Sequence, residues 1–404
     1  MKDKLDVLII GAGPSGCVAA SYLNKQGFNI KVLEKSSFPR FVIGESLLPR
    51  CMDHFEEVGL LECLKLNDFE VKNGVRFIKD NKISNFIFSD KHTNGWDWTW
   101  QAPRADFDNI LATEIINQGV DLSFENEVIN VDFDDNGNST TTVKDQNGRI
   151  NYYKAKYIID SSGFGRVLPR LLNLDKDPRL TNYSTVFSHI SGSQSNEFRN
   201  TSIHIIDDNI WAWEIPFSNG ITSFGFSGNS KYLDKFGNSS KDKFMNLFKK
   251  ISPSEIHNNS NLVFEPIELK NYSKEVTKLY GKGFVLTGNS AEFLDPIFSS
   301  GVTMATESGL LAAKLIKKEL TNEPVNWELD YSLYISKGVD VFRTYVTEWY
   351  SGKLKSIFFN SEINPKFKKQ ITSVLAGYVW DESNPFVSKH DRVIDNLAHI
   401  INMN

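Results

Sequence analysis

The sequence predicts an α/β fold: a sheet grown from one βαβ unit, an antiparallel β-sheet joined to it, and a helical C-terminal region. Three observations carry this. Residues 6–34 read as strand, glycine turn, helix and strand. Residues 185–268 alternate apolar and polar side chains in strand-length runs, and beyond residue 330 helical spacing takes over.

Residues 6–10 form a short run of Val, Leu and Ile, the pattern of a strand buried on both faces, and run straight into Gly11-Ala12-Gly13-Pro14-Ser15-Gly16. Gly11 permits the tight turn, Gly13 lets the backbone approach a pyrophosphate, and Gly16 lets the helix lie close to the strand. That helix spans about residues 15–26 and closes at Gly27. A second apolar strand, 30–33, ends in Glu34, roughly eighteen residues past Gly16, the distance expected for an acid that binds a ribose diol. A glycine pattern alone would say little; strand, turn, helix, strand and terminal acid together describe a Rossmann-like dinucleotide unit.

With 404 residues, 40% hydrophobic and 24% charged, the chain is long enough for two intimately joined domains. A net charge of −5 argues against nucleic acid or an anionic membrane as partner. Lys241, Lys243, Lys249 and Lys250 alternate with apolar residues and read as the solvated face of one helix. Cys17, Cys51 and Cys63 fit neither a disulfide framework nor a metal site, which predicts buried thiols in a reduced, cytoplasmic protein. No secretory leader or membrane span is expected.

After Glu34, the loop over residues 38–49 (FPRFVIGESLLP) is too rich in special residues to be a casual connection. Helix is predicted over 50–66 and alternation predicts one strand over 69–77, with short strands to about 88. A helix over 105–118 starts with Asp106 and Asp108 as favourable first-turn charges and ends at Gly119. Strands are expected over 120–124 and 127–133, then a hairpin of 140–143 and 150–153 around Asn147-Gly148, and a buried strand over 157–160. The alternating region holds one helix near 241–251 and reads as an antiparallel sheet that roofs a pocket. Residues 283–288 are again strand plus glycine turn, and a small-residue helix follows over 301–320.

Five segments occur in the order seen in flavoprotein monooxygenase-fold enzymes: the first glycine unit, FPRFVIGESLLP, QAPRADFDNIL, DSSGFGR and GNSAEFLDPIFSSGV. Within that group the chain resembles the flavin-dependent halogenases that act on phenols and pyrroles. Trp211-Ala212-Trp213-Glu214-Ile215-Pro216 matches their WxWxIP, and residues 293–301 match their FxxPxxSxG. The resemblance covers residues 1–330. It implies a Rossmann-like FAD-binding domain over 1–184, with substrate-domain strands near 70–100. A substrate-domain β-sheet over 185–274 and the second part of the FAD domain over 275–330 follow, and the helical region over 331–404 matches by helical character only.

Resemblance places FAD against Gly11, Gly13, Pro14, Ser15, Gly16, Glu34, Lys35 and Arg40 on the adenosine side. It adds Gly44, Glu45, Ser46, Gln101 and Arg104 in the middle, and Gly288, Asn289, Asp295, Pro296, Gly301 and Val302 at the ring. Asn289 stands where many relatives carry Asp, and keeps hydrogen-bonding capacity without charge. Ser299, Ser300 and Gly301 fall in the halide neighbourhood. A glycine-rich loop running into a helix N-terminus also suits a reduced flavin on physical grounds, because main-chain N–H groups stabilise its negative charge.

The family's reaction, as the resemblance implies it, runs through a flavin hydroperoxide and hypohalous acid formed from chloride or bromide. A lysine then delivers the electrophile to the ring, and Lys72 stands at its position; on strand pattern alone Lys72 would face solvent, as most lysines do. Lys79 and Lys82, on the more polar stretch that follows, are poorer candidates. Trp211, Trp213, Pro216 and Phe298 are the substrate-pocket candidates, with the tryptophans open to a second reading as plain core. Tryptophan-acting relatives carry a glutamate at the place of Phe298, so its absence favours a ring activated by its own oxygen or nitrogen. Residues 160–166 (DSSGFGR) resemble the halogenase and reductase version of this segment, and with the lack of a second GxGxxG that resemblance implies that a separate reductase supplies reduced FAD, with the aromatic substrate free or carried on a protein or long chain. A ring hydroxylase, an isoprenoid reductase and a non-turning flavin binder remain as alternatives.

Overall fold

The strand Leu5–Ile10 lies at the middle of the first sheet because its apolar side chains find cover on both faces. A computed structural model describes residues 4–179, 181–192, 198–251 and 261–403. In that sheet the strands run in the order Tyr280–Gly281, Phe284–Leu286, Ile150–Asp160, Leu5–Ile10, Ile30–Leu33 and Asp121–Ser123. Along this order all neighbours are parallel except the Tyr280–Gly281 edge, and off it Ser139–Asp145 pairs antiparallel with both Ile150–Asp160 and Asn126–Phe133. The crossover helix Pro14–Lys25 packs against the long helix Ser300–Leu320. Close approach is possible because Gly309 faces Ser15: a Cβ there would meet the Ser15 carbonyl at 2.6 Å.

The second sheet runs Asn261–Leu262, Tyr183–Ser191, Ile221–Asn229, Ile210–Pro216, Thr201–Ile205, Gly74–Lys79 and Lys82–Ile87, with Ile267–Lys270 on the flank of Tyr183–Ser191. It differs from the wholly antiparallel sheet expected, since Thr201–Ile205 pairs in parallel with Gly74–Lys79. Alternation along a strand reports which face is buried but not which strand lies alongside. Three expected boundaries also move. The helix over 50–66 is two, Arg50–Glu57 and Leu61–Lys65, parted at Gly59 in a left-handed conformation. The hairpin strand and the buried strand that follows are one, Ile150–Asp160.

The strand expected over 69–77 splits at Asn73, and the two pieces join different sheets. Glu70–Lys72 pairs with Thr99–Gln101, placing Lys72 opposite Thr99, while Gly74–Lys79 enters the second sheet. On the far side of Thr99–Gln101 lies the 45–47 loop: Ala102 N–H donates to the Glu45 carbonyl, Leu47 N–H to that of Trp100, and Ser46 bridges Gln101. That stitching sets the candidate lysine beside the loop that walls the cleft.

C-terminal helices complete the core. In Tyr334–Tyr350 the residues Val341, Phe342, Tyr345 and Trp349 point inward, joining Phe77, Phe298 and the tryptophans of Ile210–Pro216 in one apolar cluster. Cys17 and Cys51 are buried and all three thiols are free. No helix among the described residues is long and apolar enough to cross a membrane.

Candidate active site

The first sheet, the second sheet and the 45–47 loop enclose a cleft of about 410 Å³. Its volume falls in the range of cofactor and small-molecule sites. Two helices start on it, Pro14–Lys25 after Gly13 and Ser300–Leu320 after Ser299, and no side chain caps either N-terminus. Their free N–H groups and positive dipole ends are a ready anion site. Ser299 itself is left-handed, with φ 55°, and the turn at Gly288 has φ 55°.

At the adenosine side, Gly11, Gly13, Pro14, Ser15, Glu34, Lys35 and Arg40 line the cleft. Gly16 does not; a Cβ there would sit 2.0 Å from the Gly11 carbonyl oxygen, so it works by allowing the turn to close. Glu34 is buried, with one carboxylate oxygen accepting from Ala12 N–H and the other from Ser36 N–H, each at 3.0 Å. Arg40 reaches toward Glu34 at 3.6 Å and bonds the buried Asp108, which Arg104 grips through two N–H groups. Gly44, Glu45, Ser46 and Arg104 continue the wall, and Gly288, Asn289, Pro296, Ser299, Ser300, Gly301 and Val302 form the far end. Sequence reasoning missed Asn126, Glu127, Thr201, Ile203 and Tyr272, which the fold brings in from strands and loops without a local signature.

The two glycine turns, the two bare helix N-termini and the buried Glu34 fit an FAD along this cleft. The family comparisons agree with that fit. Residues 4–177 match the model described as FAD binding domain. A solved flavoprotein/dehydrogenase from Cytophaga hutchinsonii is 46% identical and superposes with a TM-score of 0.96, covering 99% of both chains. A Pseudomonas fluorescens chlorinase of 1H-pyrrole-2-carbonyl groups on a peptidyl-carrier protein is 28% identical over 98% of this chain and 93% of its own length. The corresponding brominase from Pseudoalteromonas luteoviolacea is 26% identical over 93% of this chain and 92% of its own length. The chain belongs to the FAD-binding flavoproteins, and the curated relatives it resembles are flavin-dependent halogenases.

In this family member Lys72 is not a surface lysine. It is 1% exposed and does not itself line the cleft. Its Nζ donates to Ser46 Oγ and to the Leu47 carbonyl, both at 2.8 Å, and lies 5.4 Å from the Phe88 ring. Among the described residues no carboxylate forms an ion pair with it, and burial pushes its ammonium down to about 7. Such an amine is part neutral near neutral pH, which is what a nucleophile or halogen carrier needs.

Four other expected contacts lie behind the cleft wall. Gln101 is fully buried, its amide donating to the Arg199 and Pro216 carbonyls while its oxygen accepts from Thr201 Oγ1. Pro216 therefore contributes a carbonyl to this network and no cleft surface. Phe298 packs in the core between Tyr345 and Trp349, because the left-handed Ser299 turns the chain away from it. Trp211 and Trp213 meet both readings, lining the cleft while nearly wholly buried; the Trp213 ring lies across Gly225, where a Cβ would meet it at 2.0 Å.

Asp295 is the fourth. One carboxylate oxygen accepts from Ile297 N–H, and the other from the hydroxyls of Tyr272 at 2.6 Å and Tyr350 at 2.9 Å. Burial pushes its carboxyl from 3.8 up to about 6. Between those values the native state holds a proton that the unfolded chain has lost, so this group's contribution to stability falls as pH rises from 3.8 through 6. The cost is complete above pH 6, at about 3 kcal/mol. Asp295→Asn is therefore expected to gain about that much on wild type between pH 4 and pH 7 in paired urea denaturations. A gap that does not move with pH contradicts this reading.

Proposed function

We propose that this protein halogenates an electron-rich phenolic or pyrrolic ring, using reduced FAD with chloride or bromide, and that Lys72 carries the electrophilic halogen to the ring. The observation that carries the reading is Lys72 itself: a buried amine without a carboxylate partner, one hydroxyl away from the cleft. Bound reduced FAD would supply the oxygen chemistry that makes halide electrophilic. The two bare helix N-termini would hold its negative charge, and Trp211 and Trp213 would wall off water. At the Lys72 amine, the neutral fraction near pH 7 offers a lone pair to electrophilic halogen.

The place of Phe298 offers no carboxylate to the ring, which favours a substrate activated by its own heteroatom. The pyrrole-on-carrier chlorinase and brominase among the relatives support a ring presented on a carrier. A separate reductase as source of reduced FAD completes the proposal.

The protein alone is expected to leave NADH unoxidised. Supplied with FAD, a flavin reductase, NADH, oxygen, bromide and a panel of phenols and pyrroles, it should give a bromine isotope pattern by mass spectrometry. NADH oxidation by the protein alone would remove the separate reductase, and products bearing added oxygen would replace halogenation with hydroxylation.

A further inference from the structure

A chain of hydrogen bonds runs from Lys72 along the cleft wall, and its direction is fixed at the far end. Gln101 Nε2 lies 3.0 Å from the Arg199 carbonyl and 2.6 Å from that of Pro216, so both amide hydrogens are committed and the amide cannot be reversed. Its oxygen therefore faces Thr201 Oγ1 at 2.8 Å and can only accept, which takes the one hydroxyl hydrogen of Thr201. Ser46 Oγ, 2.8 Å from Thr201 Oγ1, must then donate to it and accept from Lys72 Nζ. Lys72 donates whether charged or neutral, since a neutral amine still has two N–H groups for Ser46 Oγ and the Leu47 carbonyl.

Both residues line the cleft, and each hydroxyl has spent its hydrogen on a neighbour. Toward the cleft, Ser46 and Thr201 thus present lone pairs alone. Next to them Glu45, 1% exposed and also lining the cleft, accepts from His189 Nε2 at 2.8 Å with one carboxylate oxygen and leaves the other buried with no hydrogen-bond partner among the described residues. A buried acceptor without a donor is costly, so its partner is expected to arrive with a ligand. Thr201 begins the strand whose Ile203 lies opposite Trp213, and Ile203, Trp213 and Ile215 line the same cleft, which puts the acceptors on the aromatic wall of the second sheet.

We propose that Glu45, Ser46 and Thr201 form an acceptor-only subsite that selects rings carrying their own N–H or O–H donor, with Lys72 and Gln101 fixing its polarity. The subsite rests on the halogenase reading for its aromatic ligand. Gln101 is a positioning residue here, acting through Thr201, and a ring whose donor hydrogen is replaced by methyl finds three acceptors and nothing to give them.

The test is calorimetric titration of the FAD-loaded protein with matched rings: phenol against anisole, and pyrrole against N-methylpyrrole. The parent rings are expected to bind about tenfold more tightly, as one hydrogen bond to a partly charged site allows. In Thr201→Val the Ser46 hydrogen loses its acceptor and turns toward the cleft, so two of the three acceptors are lost and the parent-to-methyl ratio should fall severalfold, with the free Glu45 oxygen keeping it above one. Thr201→Ser keeps the hydroxyl and should restore the ratio, which a merely structural role for Thr201 would not predict, and circular dichroism with a thermal melt reports that each variant is folded. Equal binding of parent and methylated rings by wild type overturns the subsite and leaves halogenation standing. An unchanged ratio in Thr201→Val overturns the polarity argument, and binding of neither ring overturns both the subsite and the aromatic substrate.

Discussion

Lys72→Met is expected to lose halogenation while keeping FAD, and to be more stable than wild type near pH 6. The drop of the Lys72 ammonium from the ordinary 10.5 to about 7 means that charging it in place costs about 5 kcal/mol. Below pH 7 both states are protonated and the whole cost falls on the native protein. Between 7 and 10.5 the unfolded chain keeps a proton that the native one has released, so wild-type stability rises with pH across that window. Methionine fills a similar volume and removes the cost, but leaves the Leu47 carbonyl and Ser46 hydroxyl without their donor, a loss of about 1–3 kcal/mol. The larger number decides the sign at pH 6, and the smaller one near pH 10. Denaturation curves at the two pH values should therefore cross over between the proteins. Parallel pH dependence would show that Lys72 is solvated or paired, and retained halogenation would take the chemistry away from it.

Gly16→Ala is expected to weaken FAD binding at least about a hundredfold, and to destabilise the protein by about 1–3 kcal/mol as an overpacking change. The added Cβ would stand 2.0 Å from the Gly11 carbonyl oxygen and 3.4 Å from the Ile9 side chain. Backbone cannot rotate away as a side chain can, and Gly11 is itself fixed, with φ 100° and the Ser161 carbonyl beneath it. The only relief is to move the helix start off the strand, which pulls its N–H groups away from the phosphates. Flavin fluorescence titration reads this directly. Affinity within twofold of wild type would mean that the turn is not where the cofactor is held.

These expectations differ in how far the chain alone announced them. The 6–34 unit was legible because strand, turn and helix signals there are local: the expected strand over 30–33 is the observed Ile30–Leu33, and the helix over 15–26 appears as Pro14–Lys25. Lys72 could be singled out by resemblance, yet its burial could not be read. Its environment is made by Ser46, Leu47, Thr99 and Phe88, residues brought together by a strand break at Asn73 that periodicity did not reveal. Gln101, Pro216, Asp295 and Phe298 show the same limit from the other side. They belong to motif segments that reach the cleft, but a motif fixes the path of the backbone, and these side chains turn inward from it to form hydrogen bonds or core. Thr201 went unnoticed for the opposite reason: nothing near it in sequence is unusual, and it matters through Ser46 and Gln101, which lie 155 and 100 residues away.

The central claim is that the cleft and the buried amine behind it together place halogen on a ring. A single turnover isolates this from any reductase: the protein is loaded anaerobically with chemically reduced FAD, then mixed with oxygenated buffer containing bromide and a phenol or pyrrole, and the product is read by mass spectrometry. A monobrominated ring is expected, in an amount set by the reduced flavin. An unaltered ring with all the reducing equivalents recovered as hydrogen peroxide, or a ring carrying a new hydroxyl, would contradict it.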